Sequence, residues 1–438
     1  QRKPKRNHES TTQTSWQISK RSREQLHEIV PSYSQMKFAK ANILLLLIIF
    51  LAALLRFIKL NTIPVGFNDD EAAFGYNAYS ILKYGFDEWG RNLPFPTFES
   101  FGDWKLVFYL YLTVITQSIF GLSEFATRLP SALFGVLTVI STYFLAKELF
   151  KSSNLKFEIG NSLLFRRKTF QFDIPVVAAL LLAISPWHIV ASRNAFESDL
   201  LSFFITTGIY FFAKATSNRK YLFVSTFLFT MCFYVYRSSW LFVPLFTLVL
   251  IYLFRHNFQR SRDLILKNLA LAFVLLIPLI PVVLTFKGQS RFVQESFVTG
   301  VSRIGITNEV NERRGLCQNS LPEIFCNIAY NKYLFFVKSY TSNYLKNLSY
   351  ETFFENSSPT GFQSFMKRSA FHLFELPLVL AGLIFIFKTK SPATKILIPW
   401  LLLAPVGAAI TGIGNYGRIN LIMPAPQIIA SVGLVAIL

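Results

Sequence analysis

GFNDDEAAFGYNAYSILKYGFDEWGRNLPFPTFESFGDWK, residues 66–105, sets Asp69, Asp70, Glu71, Asp87, Glu88, Glu99 and Asp103 directly after a membrane-length apolar run. Acidic side chains cost free energy near lipid. A cluster of them at a membrane surface is therefore either an ordinary solvated loop or a reacting surface. The residues on either side weigh one against the other.

The 438 residues are 52% hydrophobic and only 16% charged, with a mean hydropathy of +0.39. Soluble domains carry roughly 25% charge, so this composition is that of an integral membrane protein. Several apolar runs reach the ~17–25 residues that a spanning helix needs. The alternating ten-residue segments of a barrel are absent. The 47 Phe and 18 Tyr suit lipid-facing and interfacial surfaces. The net charge of +20 would point to nucleic acid in a soluble protein. Here the basic residues lie mostly between apolar runs, as the positive-inside rule expects, and no zinc-finger spacing or Walker loop is present. Nucleic acid is excluded as a partner.

Upstream of the acidic stretch, NILLLLIIFLAALLRFI (about 42–58) has no small-residue cleavage pattern after it and reads as a retained first span. Residues 1–40 are polar and basic and form an expected disordered cytoplasmic tail. The outer loop, 60–128, then emerges on the opposite side. Within it, Glu71 to Tyr84 is expected to be helical, with Ala72, Tyr76, Tyr79 and Ile81 on an apolar flank in the interface.

Downstream, apolar runs lie near 129–146, 174–190, 200–213, 221–236, 240–254, 269–285, 372–387, 394–411 and 419–438. The connections 147–172, 214–220, 255–267 and 388–395 are all basic and should be cytoplasmic. That requires an odd number of crossings between the acidic loop and Lys147. The run 106–120 is then a juxtamembrane or re-entrant helix, and the expected count is ten spans. A long outer loop covers 286–371. Cys317 and Cys326 bracket QNSLPEIF there. They are two thiols, or a disulfide if that loop lies outside the cytoplasm. The chain stops inside an apolar run, so the natural protein is expected to continue.

This topology collects carboxylates Asp70, Glu71, Asp103 and Asp199 and cations Lys105, Arg128, Arg193, Arg237 and Arg418 on one outer face. Arginine forks match phosphate oxygens, and lysine supplies a point charge. Each cation alone could simply snorkel to the headgroups. Carboxylates beside a phosphate need a task, either taking a proton from an incoming hydroxyl or holding a metal. The pattern indicates transfer of a group from a lipid-linked phosphate to an acceptor.

The succession NDDEAAFGYNAYSILKYG, then GDWKLVFYLYLTVITQSIFGLSEFATRLPSALFGVLTVISTYFLAKELF, then SPWHIVASRNAFESD resembles the GT-C membrane glycosyltransferases. The similar branch is that of the protein O-mannosyltransferases and aminoarabinose transferases. The likeness covers residues 40–255 well and the remainder loosely. It implies an all-α polytopic membrane protein, a GT-C helical bundle over 41–438 with interfacial juxtamembrane helices in the first outer loop. It also implies an inverting transfer of sugar from a polyprenyl-phosphate-linked donor to a protein, lipid or glycan acceptor at the extracytoplasmic face of an inner membrane. Residue by residue, Asp70 with Glu71 matches the family's first acidic pair, and Asp70 is implied as the acceptor's base. Asp103 and Lys105 match an acid and a lysine near the donor phosphate or a metal. The usual proline pair after that lysine is missing, and Leu106 and Val107 stand instead. Arg128 matches the arginine of R-L-P-S, Asp199 an acid of the second outer loop, and Arg418 a late arginine facing the lipid phosphate. Arg193 and Arg237 are further phosphate candidates. The resemblance fixes no cofactor and leaves a divalent metal open, with Asp103 and His188 as candidate ligands.

The alternative reading is a lipid or solute transporter or flippase. It needs charges near mid-membrane, whereas span interiors here read as almost uncharged apart from Arg56 and Lys59. A scaffold would not need acids and arginines collected beside the bilayer. A serine hydrolase would need the G-x-S-x-G elbow that is absent.

Overall fold

The computed structural model describes residues 33–151, 173–258, 262–285, 301–355, 369–389, 391–412 and 416–437. Most of the expected basic tail, the connection 152–172 and parts of the loop 286–371 lie outside the described residues. The chain divides into two units, Gln1–Ile48 and Ile49–Leu438. The described part of the first is helical from Tyr33 onward, in α1 (Tyr33–Phe57). All other elements belong to the second.

After α1 come α2 (Asp69–Tyr84), the strands β1 (Thr97–Ser100) and β2 (Asp103–Leu106), α3 (Phe108–Phe120) and α4 (Glu124–Leu149). Then follow α5 (Ile174–Ile184), α6 (Pro186–Arg193), α7 (Glu197–Ala215), α8 (Tyr221–Val235), α9 (Ser239–Leu253), α10 (Arg255–Phe258), α11 (Arg262–Leu276) and α12 (Ile280–Leu284). The third part holds α13 (Val301–Gln318), α14 (Glu323–Ala329), α15 (Lys332–Asn347), α16 (Tyr350–Phe354), α17 (Glu375–Thr389), α18 (Thr394–Thr411), α19 (Tyr416–Ile419) and α20 (Ala425–Ile437).

The core forms around α4 and α7, which pack on each other. α4 also carries α5 and α6, and α7 carries α8. α17 and α20 meet backbone to backbone: a Cβ on Gly433 would sit 1.8 Å from the Leu378 carbonyl oxygen, so only glycine fits there. Three helical stretches are long and apolar enough to cross a membrane alone: α4, Arg262–Leu284 and α18. The pair α5–α6, bent by 57°, passes the same test only when its two helices are taken together, as a broken span or a re-entrant loop. Five further apolar helices have 10–17 residues. Length and composition thus account for three or four of the expected ten spans among the described residues.

Three local details go beyond the expectations. The run 174–190 is not one straight helix, because Pro186 has no N–H to continue the ladder and the chain bends at Ser185. The outer-loop helix spans Asp69–Tyr84, starting two residues before the expected Glu71. Glu71, Phe74, Ala78 and Ile81 are buried, while Tyr76 is 59% exposed. The helix packs on α3 and α4. Finally, Asp103 and Lys105 stand directly before the aromatic helix α3. They lie on β2, paired antiparallel with β1 in the register Ser100↔Asp103 and Phe98↔Lys105. Phe101 and Gly102 make the two-residue turn with φ of 50° and 72°, the left-handed geometry that fits a tight hairpin. α3, with 13 residues, is only ~20 Å long and falls short of the ~30 Å bilayer core.

Candidate active site

The site begins with how the chain enters α2. Asn68 caps the helix: its side chain accepts from the Glu71 N–H at 2.8 Å, and the Glu71 carboxylate accepts from the Asn68 N–H at 3.2 Å. This reciprocal capping box satisfies two otherwise unpaired donors and contributes about 1 kcal/mol. Asp69, Asp70 and Glu71 all stand in the first turn, where the helix dipole favours negative charge. Gly85, in the left-handed conformation, closes the other end by donating to the Ile81 carbonyl.

Asp70 and the β2 residues then converge. The Lys105 ammonium donates to the Asp70 carboxylate and lies 3.5 Å from Asp103 Oδ2. The period of two along a strand puts Asp103 and Lys105 on one face of the hairpin, whereas residues two apart on a helix would diverge. Lys105 is 4% exposed, Asp103 18% and Asp70 37%. The lysine is thus seated inside while one carboxylate opens to the outside. Arg237, from the break between α8 and α9, donates to the Trp104 carbonyl at 2.5 Å and so ties a third segment to the hairpin. On the hairpin's other face, the Arg91 guanidinium stacks over the Trp104 ring at 4.6 Å and pairs with Glu99 at 2.7 Å.

Glu71 and Arg128 are sealed below. Arg128 Nε meets Glu71 Oε1 at 2.7 Å and Nη2 meets Oε2 at 3.1 Å, a bidentate pair 0–1% exposed. Arg128 also donates to the carbonyls of Leu60, Pro64 and Gly66, and Glu71 accepts from the Ala195 N–H. Arg193 does similar work one turn of chain earlier. It donates to the carbonyls of Leu55, Arg56, Ile58, Lys59 and Ile63, at or beyond the C-terminal end of α1. These are the carbonyls a helix end leaves unpaired. Two arginines therefore fasten the segment 55–66 that delivers Asp70.

His188 and Asp199 form a separate buried cluster with Arg56. Arg56 Nη2 is 2.7 Å from His188 Nδ1, and His188 Nε2 is 3.8 Å from Asp199 Oδ1. A guanidinium only donates, so Nδ1 accepts and the ring proton sits on Nε2, facing Asp199. Both Asp199 carboxylate oxygens lack a hydrogen-bond partner among the described residues. All three side chains are fully buried. Arg418, on α19, precedes a 3-10 turn whose Asn420 donates to the Ser198 carbonyl at 2.9 Å, one residue from Asp199. A lone arginine at the end of LLLLIIFLAALL was the available signal for Arg56, and intramembrane charges are functional-site candidates by default.

A divalent metal does not fit the expected ligands. Asp103 has Lys105 beside it, and His188 has a guanidinium on Nδ1. Among the described residues no three His, Cys, Asp or Glu side chains come together to hold an ion. Cys317 and Cys326 are joined in a disulfide.

Comparison with solved structures shows which fold this is. The chain matches the archaeal oligosaccharyltransferase AglB from Archaeoglobus fulgidus, in complex with an inhibitory peptide and a dolichol-phosphate, with a TM-score of 0.52 at 16% identity over 91% of this chain and 50% of AglB. The fold is GT-C. A second AglB structure, tethered to an acceptor peptide containing the NVT sequon, gives 0.52 at 14% identity, covering 91% of this chain and 49% of AglB. ArnT from Cupriavidus metallidurans bound to undecaprenyl phosphate also matches, with a TM-score of 0.49 at 16% identity over 89% of this chain and 59% of ArnT. The chain thus spans 49–59% of the length of these GT-C proteins. No family model and no curated protein sequence matches it.

Proposed function

We propose that the protein is an inverting glycosyltransferase that moves a sugar from a polyprenyl-phosphate-linked donor to an acceptor on the extracytoplasmic side of a membrane. The observation that carries this reading is the meeting of Asp70, Asp103 and Lys105 on a GT-C scaffold. In support, AglB is solved with a dolichol-phosphate and an inhibitory peptide.

The residues take distinct tasks in this scheme. The acceptor oxygen attacks the anomeric carbon as the bond to the donor phosphate breaks on the opposite face. Asp70, the most open of the three, takes the acceptor's proton if the acceptor is a hydroxyl. The polyprenyl phosphate leaves as an anion and needs no proton from the protein. Lys105 carries three N–H donors, enough to hold Asp70 while another donor turns to a phosphate oxygen. A cation already in place at the developing charge costs no reorganisation at the moment of reaction. Arg237 and Arg418 are the other cations we assign to the lipid phosphate. Glu71, Arg128 and Arg193 we remove from the reacting set, because their polar atoms are committed to the backbone and to each other. Asp199 and His188 we assign to positioning within the bundle.

The test is consumption of a labelled polyprenyl-phosphate sugar by purified protein in lipid, with a membrane or protein extract as acceptor. Wild type should consume donor and Asp70→Asn should not. Equal turnover by the two would remove Asp70 from the mechanism.

A further inference from the structure

The loop between α2 and the hairpin touches both of the elements that build the proposed site. α2 carries Asp70, and β2 carries Asp103 and Lys105. Residues 86–92 leave α2 at Gly85 and are then tied back to it. Asn77, fully buried on α2, accepts from the Glu88 N–H at 2.9 Å and donates to the Glu88 carboxylate at 3.3 Å. The Asp87 carboxylate, also fully buried, accepts from the N–H groups of Trp89 and Arg91 at 3.0 and 2.9 Å. The Asp87 N–H in turn donates to the Arg91 carbonyl at 3.0 Å. An aspartate that bonds its own downstream backbone makes a tight, pre-formed turn. Arg91 is therefore delivered by a turn that is pinned to the helix of Asp70.

Arg91 then grips the hairpin. Glu99 and Trp104 stand opposite one another in the β1–β2 register and share a face, while Phe98 and Lys105 share the other. The Arg91 guanidinium reaches both members of the first pair. It lies 4.6 Å from the Trp104 ring centroid, and Nη2 donates to Glu99 Oε2 at 2.7 Å. Trp89 Nε1 adds a bond to the Glu99 carbonyl at 3.1 Å. On the opposite face Phe98 packs against Phe74 of α2, with ring centroids 5.6 Å apart. The hairpin is thus held between α2 and the turn that α2 anchors. Trp104 stands between Asp103 and Lys105, and its carbonyl also receives Arg237. Side chains alternate along a strand, so a slip of one position at Trp104 would turn Lys105 away from Asp70.

We propose that Arg91 is a positioning residue, which locks Trp104 against Glu99 and so keeps Asp103 and Lys105 in register with Asp70. The kinetic consequence deepens the proposed function and rests on it; the structural consequence does not. The Arg91 side chain is 38% exposed and its bond to Glu99 is a surface ion pair, so loss of the guanidinium leaves the fold standing. What is lost is alignment at the reacting atoms, where ~1 Å of misplacement is costly to the rate.

Two variants and two readouts test it. Arg91→Gln removes the charge and the planar fork, whereas Arg91→Lys keeps a cation able to pair with Glu99 and to sit over the Trp104 ring. Nitroxide labels on Tyr76→Cys of α2 and Phe101→Cys of the hairpin turn, both exposed positions, report their separation by dipolar EPR, the native cysteines being bridged or buried. The distribution should be narrow with Arg91, broaden in Arg91→Gln and narrow again in Arg91→Lys. In the donor-consumption assay on unlabelled protein, Arg91→Gln should lower turnover ~10-fold while donor KM changes less than ~3-fold, and Arg91→Lys should recover most of the loss. An unchanged distribution in Arg91→Gln overturns the positioning role. So does a rise in donor KM that matches the loss of turnover, which would put Arg91 on the donor itself. A broadened distribution with no donor consumption by wild type would overturn the proposed function and uphold Arg91 as the brace of the hairpin.

Discussion

Asp70 and Glu71 are neighbours in the sequence and opposite in circumstance. One is 37% exposed and shares the Lys105 ammonium with Asp103. The other is 1% exposed and locked in a bidentate pair with Arg128 while also capping its own helix. A turn of ~100° along a helix separates consecutive side chains, so two adjacent acids can face water and core at once. The acidic pair is therefore split: one acid is open, and the other is sealed into the scaffold; in the proposed scheme the open one meets the acceptor.

Substitutions can break this comparison, and the largest expected effect is on chemistry alone. Asp70→Asn should lower the rate of donor consumption by ~10²–10⁴-fold, the range of a lost general base, with no loss of thermal stability in detergent or lipid. Glu71→Gln should do the reverse. It leaves Arg128 buried beside a neutral partner, a change worth about 3–5 kcal/mol, and should show first as a lowered unfolding midpoint and poor yield. A Glu71→Leu, Arg128→Leu double variant should recover part of that stability, because no charge is then left unpaired. Midpoints by differential scanning fluorimetry would decide.

Arg193→Gln sharpens the division further. Several carbonyls at the end of α1 would lose their donor, at roughly 1–3 kcal/mol, and turnover should fall more than donor KM rises because Asp70 is then loosely delivered. A matching loss of donor affinity would instead put Arg193 on the phosphate. The smallest effect is expected from Asn68→Ala, which removes the cap of α2 and should cost about 1 kcal/mol with a modest loss of rate.

Much of the frame was legible in the sequence for local reasons. Asn68 with Glu71 three residues on, and Gly85 at the far end, bound a helix whatever surrounds it. Apolar length and basic connections showed a polytopic helical membrane protein. What was not legible lay where a local signal met a tertiary partner. Which side of the first-loop helix α3 and α4 would cover was not written in that helix's own residues. Phe101-Gly102 is a hairpin turn signal that the aromatic run after Lys105 masked.

By itself, then, the sequence determined the solvent this chain folds in, the first-loop helix and the residue types available for phosphate and proton chemistry. Those follow from transfer free energies and backbone preferences, which act within a few residues. Tertiary structure alone decided which charges stay open and which are sealed. Asp70 with Lys105 is a contact across 35 residues, Glu71 with Arg128 across 57, and Arg193 with the end of α1 across 130 to 138. Whether an arginine meets a substrate phosphate or a backbone carbonyl depends on what packing brings to its side chain, and no local pattern encodes that.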